Sequence, residues 1–342
     1  MIRINRIEPI GGINGKVPIR AIRNEYYDRL HQKGRCQIKN TLKNALQRGY
    51  LYKTALTVDE KNLLQYILNH YKSILIGDVN ILNKIKNDIS INNWEKLVYN
   101  YSTTKFGKKL LTVFGYTNRF RSEQERGIWL AKQLNIKSCP YCNAQYTLHV
   151  QSTSTAGIAK FQFDHFFSKD RYPYFSVSLY NLIPSCASCN HKKSSVDFSI
   201  LHNYHPYYNS LAAFAKFKLK YPADLDKLSF DAIRKMDYDK ELEIKFVPLN
   251  KGVVKFVNTH NTTFDIEPIY ERHKDHAHEL LLNSVMYDRY YQKTIINIKG
   301  LFPDKPTMMK YLLSNYMNEH EIIKRPLAKF YQDLAQQLRL ID

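Results

Sequence analysis

Apolar positions recur every three or four residues through the first third of the chain. Ile22, Tyr26, Leu30, Ile38, Leu42 and Leu46 predict helix over about 20–48, bent or broken at Gly34. Further helices are predicted near 58–75, 80–97, 104–115 and 123–135. The last has Ser122 and Glu125 at capping-box spacing and an apolar face of Ile128, Trp129, Leu130 and Leu134. The period then changes to two. Tyr146, Leu148 and Val150 alternate with Gln145, Thr147 and His149, and Phe161 and Phe163 alternate with Lys160, Gln162 and Asp164. That pattern predicts a β-hairpin over 144–150 and 158–164 with a polar tip at 151–157. Residues 167–185 read as irregular, and a helix is expected from Cys186 to about 197. Beyond 200, strands are predicted near 213–219 and 241–248, and helices near 267–298, 306–317 and 325–340. The last helix would take Pro326 as its first helical residue, with a stripe of Leu327, Phe330, Leu334, Leu338 and Ile341. The fold class expected is α+β and mainly helical. A region at 138–200 is flanked by a basic helical segment, 1–137, and a mixed, mainly helical one, 201–342.

Charge sharpens this picture. In 342 residues, 51 Lys and Arg face 31 Asp and Glu, a net charge of +20. Such a surplus seeks polyanions, nucleic acid or an acidic membrane surface. The first 50 residues alone carry eleven basic and three acidic side chains, a candidate phosphate-contacting cluster whose bland alternative is a solvated helix face. The 26 tyrosines suit base and sugar contacts as well as core edges. No apolar run is long enough for a membrane span, and the N-terminus lacks the apolar stretch of a signal peptide, so a cytoplasmic protein without a membrane partner is expected.

Four of the five cysteines form two pairs. Cys139-Pro-Tyr-Cys142 is followed, after 43 residues, by Cys186-Ala-Ser-Cys189; Cys36 stands alone. In a reducing compartment two C-x-x-C knuckles read as a tetrahedral four-cysteine zinc site before they read as disulfides or buried thiols. Four thiolates leave no open position, so this zinc would be structural. Between and after the knuckles stand Asp164-His165, Asn181, Asn190, His191 and Lys193. Cys186, Cys189, Asn190 and Lys193 share one helix face by spacing. A zinc there would clamp the helix start against the hairpin and gather Asp164, His165 and Asn190.

Asp-His, a middle Asn and C-x-x-C-N-x-x-K, framed by C-x-x-C knuckles over residues 139–197, resemble the HNH nucleases of the ββα-metal superfamily in their zinc-stapled form. Asn190 takes the place of the final histidine, a position where many members carry Asn. The resemblance implies metal-dependent phosphodiester hydrolysis, with DNA the favoured nucleic acid. It implies His165 as general base and Asp164 and Asn190 as ligands of one Mg²⁺ or Mn²⁺. Asn181 would orient the loop behind the histidine, and Lys193 would stabilise the phosphorane charge. His205-Pro206-Tyr207, Arg325-Pro326-Leu327 and the Cys-Pro-Tyr-Cys knuckle also resemble HNH proteins that act with an ATPase subunit in anti-phage systems of the Septu and retron types.

Blander readings exist for each residue. A strand-end histidine is commonly just a satisfied polar group, an asparagine can bond its own backbone, and a lysine can face solvent. His191 replaces Asn190 if the register slips by one. His149 could approach the site from the polar hairpin face, and Asp170 and Arg171 could be structural. The competing function is a non-catalytic zinc module that binds nucleic acid or protein; a third is a nuclease silent until its partner activates it.

Overall fold

Local chemistry sets most helix boundaries. The computed structural model describes residues 19–31, 37–99, 104–121, 124–150, 158–194, 196, 205–209, 211–222 and 229–341. Among them the protein is mainly helical, and its strands form four two-stranded antiparallel sheets. The described chain folds into two units: an N-terminal one of 19–135 and 148–207, and a C-terminal one of 136–147 and 208–341. No described helix is long and apolar enough to cross a membrane.

In the N-terminal unit, the stretch expected as one bent helix is α1 (Arg23–His31) and α2 (Gln37–Arg48). Gly34 and Cys36 lie outside the described residues. A small ribbon follows, β1 (Tyr50–Leu51) with β2 (Thr54–Ala55). α3 (Val58–Asn69) opens on a full capping box: the Glu60 N–H donates to Thr57 Oγ1 at 3.2 Å, and the Thr57 N–H donates to the Glu60 carboxylate at 2.8 Å. His70 separates it from α4 (Tyr71–Ile76), and Asp78 caps α5 (Val79–Ile91). After α6 (Glu95–Val98), α7 (Lys105–Phe114) stops at Gly115. Its φ of 66° is the left-handed conformation that glycine adopts without steric cost. The chain then makes a π turn over Tyr116–Arg121 and enters α8 (Gln124–Leu134). The cap expected at Ser122 falls outside the described residues.

The alternating segment resolves into two pairings. β3 (His149–Val150) joins β4 (Ile158–Ala159), as the hairpin reading expects, with the 151–157 tip undescribed. β5 (Gln162–His165) then pairs with β6 (Leu182–Ser185), inside the stretch expected to be irregular. All four β6 residues are buried. A strand covered on both faces shows no alternation, and Pro184 hides it further. Two 3₁₀ turns, Pro173–Phe175 and Leu179–Asn181, bring the chain from β5 back to β6. α9 (Ala187–Lys193) closes the motif, shorter than expected because Ser194 adopts φ 40°.

In the C-terminal unit, β7 (Ala215–Lys220) pairs with β8 (Glu243–Pro248). Helices α10 (Phe230–Arg234), α11 (Tyr238–Glu241), α12 (Val254–Phe264), α13 (Ile266–Tyr270), α14 (Lys274–Met286), α15 (Arg289–Ile296), α16 (Lys305–Leu312) and α17 (Ala328–Gln337) complete it. Helical side chains close the outer edges of the β7–β8 ribbon. Asp333 and Gln337 accept from the N–H groups of Phe217 and Leu219, at 2.8 and 2.9 Å. Glu267 accepts from Phe246 N–H at 2.8 Å, and Glu271 accepts from Ile244 N–H. Four residues of helix rise about 6 Å and two of strand about 6.8 Å, so each i, i+4 pair matches alternate edge donors. α17 starts two residues beyond Pro326, because Leu327 takes a left-handed φ of 61° and donates its N–H to Asn143 O at 2.6 Å.

Candidate functional site

The cysteines come first because local bonds preform their knuckles. In the first, Asn143 N–H donates to Cys139 O at 2.8 Å and Ala144 N–H to Cys142 Sγ at 3.4 Å. His260 Nε2 donates to Tyr141 O and Tyr270 Oη to Cys142 O, both at 2.8 Å. Asn143, at φ 53°, anchors the turn through Ser138 Oγ and Ile322 O. In the second, Cys186 is the N-cap of α9, its sulfur accepting from Cys189 N–H at 3.4 Å. Cys139, Cys142, Cys186 and Cys189 are buried and not disulfide-linked. Four thiolates around zinc at about 2.3 Å would sit about 3.8 Å apart. This group could hold a zinc ion.

The remaining predicted residues lie on β5, β6 and α9 of the N-terminal unit. Alternation along β5 sends Gln162 and Asp164 to one face and His165 to the other. The first face meets α9. Lys193 Nζ stands 3.3 and 3.2 Å from the two Asp164 carboxylate oxygens and donates to His165 O at 2.6 Å. One turn earlier, Asn190 Nδ2 donates to Gln162 Oε1. The i, i+2 pair on the strand thus matches the i, i+3 pair on the helix. This match puts Asp164 and Asn190 on the same side of the motif. Lys193 is fully enclosed and Asp164 is 3% exposed, so this ammonium acts as a counter-ion inside the fold.

On the opposite face, His165 is held by loop residues. Its Nε2 lies 2.9 Å from Ser176 O, and its ring meets Tyr116 edge-on at 4.4 Å. A carbonyl only accepts, so Nε2 carries the proton and Nδ1 presents the lone pair. Burial, with Lys169 and Lys193 nearby, pushes the imidazole down to about 3, against the stabilising Ser176 carbonyl. The loop itself is fastened by Asn181. Its Oδ1 accepts from Phe167 N–H at 2.6 Å, and its Nδ2 donates to Phe167 O at 3.1 Å and Phe175 O at 2.9 Å. Asn181 is completely buried, so its bonds shape the loop that presents Ser176 O.

Residues outside the sequence reading also build this site. Gln162 was legible, since it lies two positions before Asp164 on the same strand face. Tyr116 and the Ser176 carbonyl carried no signal, because their closeness to His165 arises only in the folded chain. Of the alternatives, His191 is exposed on α9 and His149 is half-buried on β3. Asp170 bonds locally to Ser168 Oγ, and the Arg171 guanidinium lies over the Tyr99 ring.

The chain matches no model of a known protein family, no curated protein and no solved structure.

On the α9 side the Asn190 side-chain nitrogen is engaged by Gln162 and the Asp164 carboxylate by Lys193.

Proposed function

We propose that the protein is a divalent-metal-dependent HNH-type endonuclease that hydrolyses phosphodiester bonds of nucleic acid, DNA favoured. The observation that carries this reading is the β5–β6–α9 motif, which sets Asp164 and Asn190 on one side and fixes His165, the next residue along β5, through Ser176 O. The Nε2 proton of His165 is committed to Ser176 O. Through Nδ1, His165 takes a proton from the attacking water. Asp164 and Asn190 would hold Mg²⁺ or Mn²⁺, which would supply Lewis-acid stabilisation of the phosphate. Asn181 positions His165 through the loop. Lys193, enclosed against Asp164, positions that carboxylate. Zinc on the four cysteines serves structure only.

The test is incubation with plasmid, single-stranded DNA and RNA, in Mg²⁺ or Mn²⁺ and in EDTA, for wild type and His165→Ala. Metal-dependent cleavage lost in a folded, zinc-containing His165→Ala variant is expected. Equal cleavage by the two proteins refutes the assignment.

One observation favours a second reading, a zinc-stabilised binding module without catalysis: His165 is only 7% exposed and Asp164 is paired to Lys193. Nucleic-acid binding with no cleavage under any metal supports it. The resemblance of His205-Pro206-Tyr207 and Arg325-Pro326-Leu327 extends the main proposal to an anti-phage effector with an ATPase partner. A chain inert alone but active when co-purified with an ATPase subunit is the expected sign.

A further inference from the structure

The N-terminal unit carries an open surface groove of about 390 Å³ lined by Arg23, Asn24, Lys72, Ser73, Ile76 and Ile81. That volume lies within the range of about 300–1,000 Å³ usual for small-ligand sites. Two cations, an amide and a hydroxyl line it, and no carboxylate does.

Both cations are held by a carbonyl or an aromatic ring. Arg23 Nε donates to Ile76 O at 2.8 Å, and its guanidinium lies 5.3 Å from the centre of the Tyr180 ring. The bond uses Nε and the ring uses the guanidinium face, so the Nη fork remains for a ligand. Lys72 Nζ lies 5.4 Å from the Tyr27 ring centre. Among the described residues neither cation has a carboxylate partner. A preset guanidinium fork beside an ammonium, with neutral donors adjoining, matches a phosphate group better than a cation or an apolar ligand. Ile76 and Ile81 give an apolar wall on which a sugar or base attached to that phosphate can lie.

We propose that this groove binds a phosphate group, borne by a nucleic-acid backbone or by a free nucleotide. The choice of nucleic acid as natural ligand rests on the nuclease reading; the groove chemistry does not. Arg23 packs on Tyr180, the residue before Asn181.

The test measures binding in EDTA, where cleavage plays no part. Fluorescence anisotropy with labelled single-stranded DNA, duplex DNA and single-stranded RNA is run beside calorimetry with AMP, ATP and inorganic phosphate. The variants are Lys72→Glu, Arg23→Gln with Lys72→Glu, and Lys299→Glu as a charge-matched control on an exposed lysine of the C-terminal unit. Circular dichroism melts verify folding. Lys72→Glu should weaken binding at least about fivefold and lower the salt slope by about 0.7–0.9 for one lost phosphate contact. Lys299→Glu should change affinity less than about twofold. Loss confined to oligonucleotides identifies the backbone as ligand, and loss extending to AMP or ATP identifies a free nucleotide. Equal weakening by Lys72→Glu and Lys299→Glu, unchanged binding in folded Lys72→Glu, or no binding of any probe by wild type overturns the proposal. His165→Ala should bind like wild type, so failure of this site and failure of the nuclease reading are separable.

Discussion

Replacing Asn181 by alanine tests how the candidate site is held. The wild-type amide makes three hydrogen bonds in a fully buried position. Alanine leaves the Phe167 N–H a buried donor without its partner, at a cost of about 1–3 kcal/mol. The two lost bonds to Phe167 O and Phe175 O each contribute about 0.5–1.5 kcal/mol net. Phe175 O still accepts from Ser178 N–H at 3.0 Å, which puts its share at the low end. Together the loss is about 2–5 kcal/mol. With a urea slope of about 2 kcal/mol/M, the midpoint should fall by about 1–2.5 M. The assay is urea unfolding followed by far-UV circular dichroism, beside cleavage in urea-free buffer at a temperature where the variant stays folded. Cleavage should fall as well, because Ser176 O would no longer hold the His165 ring. Asn181→Asp should not rescue either property: it keeps an acceptor for Phe167 N–H but turns a carboxylate oxygen toward two carbonyls. A stability change under about 0.5 kcal/mol would refute the view that this amide fixes the loop.

Lys193→Met leaves the Asp164 carboxylate buried without its counter-ion and should cost about 3–5 kcal/mol; Lys193→Met with Asp164→Asn should recover part of it in the same urea titration. Elemental analysis should find one zinc per chain, and Cys186→Ser should lower both the zinc content and the melting temperature. His205, pushed down to about 3 by burial, is neutral in the fold and should protonate at its ordinary value near 6.5 once unfolded. Its stabilising effect is therefore complete above about pH 6.5 and declines by up to about 1.4 kcal/mol per unit as pH falls toward 3. His205→Asn, which offers an acceptor to Tyr207 N–H in place of Nδ1, should show a shallower decline between about pH 6.5 and 4.5. An unchanged slope would mean that His205 is not the titrating group.

What the chain's own pattern determined is mostly local. Amphipathic spacing marked α2, α3, α5, α7 and α8, and alternating residues marked β7 and β8, because these signals depend on neighbours three, four or two positions away. The paired cysteines, Asp164-His165 and Asn190 stood out through residue type and interval alone. The tertiary structure decided the rest. β6 was invisible because burial on both faces erases alternation, and α12 was masked by polar residues, among them His260, which the fold buries against Tyr141 O. Pro326 promised a helix start, but a backbone bond from Leu327 to Asn143, far away in sequence, moved that start to Ala328. Lys193 looked free to meet a phosphate until packing enclosed it against Asp164. Which nitrogen of His165 carries its proton depends on one carbonyl, Ser176 O, and no sequence interval encodes a contact made by chain closure between distant segments.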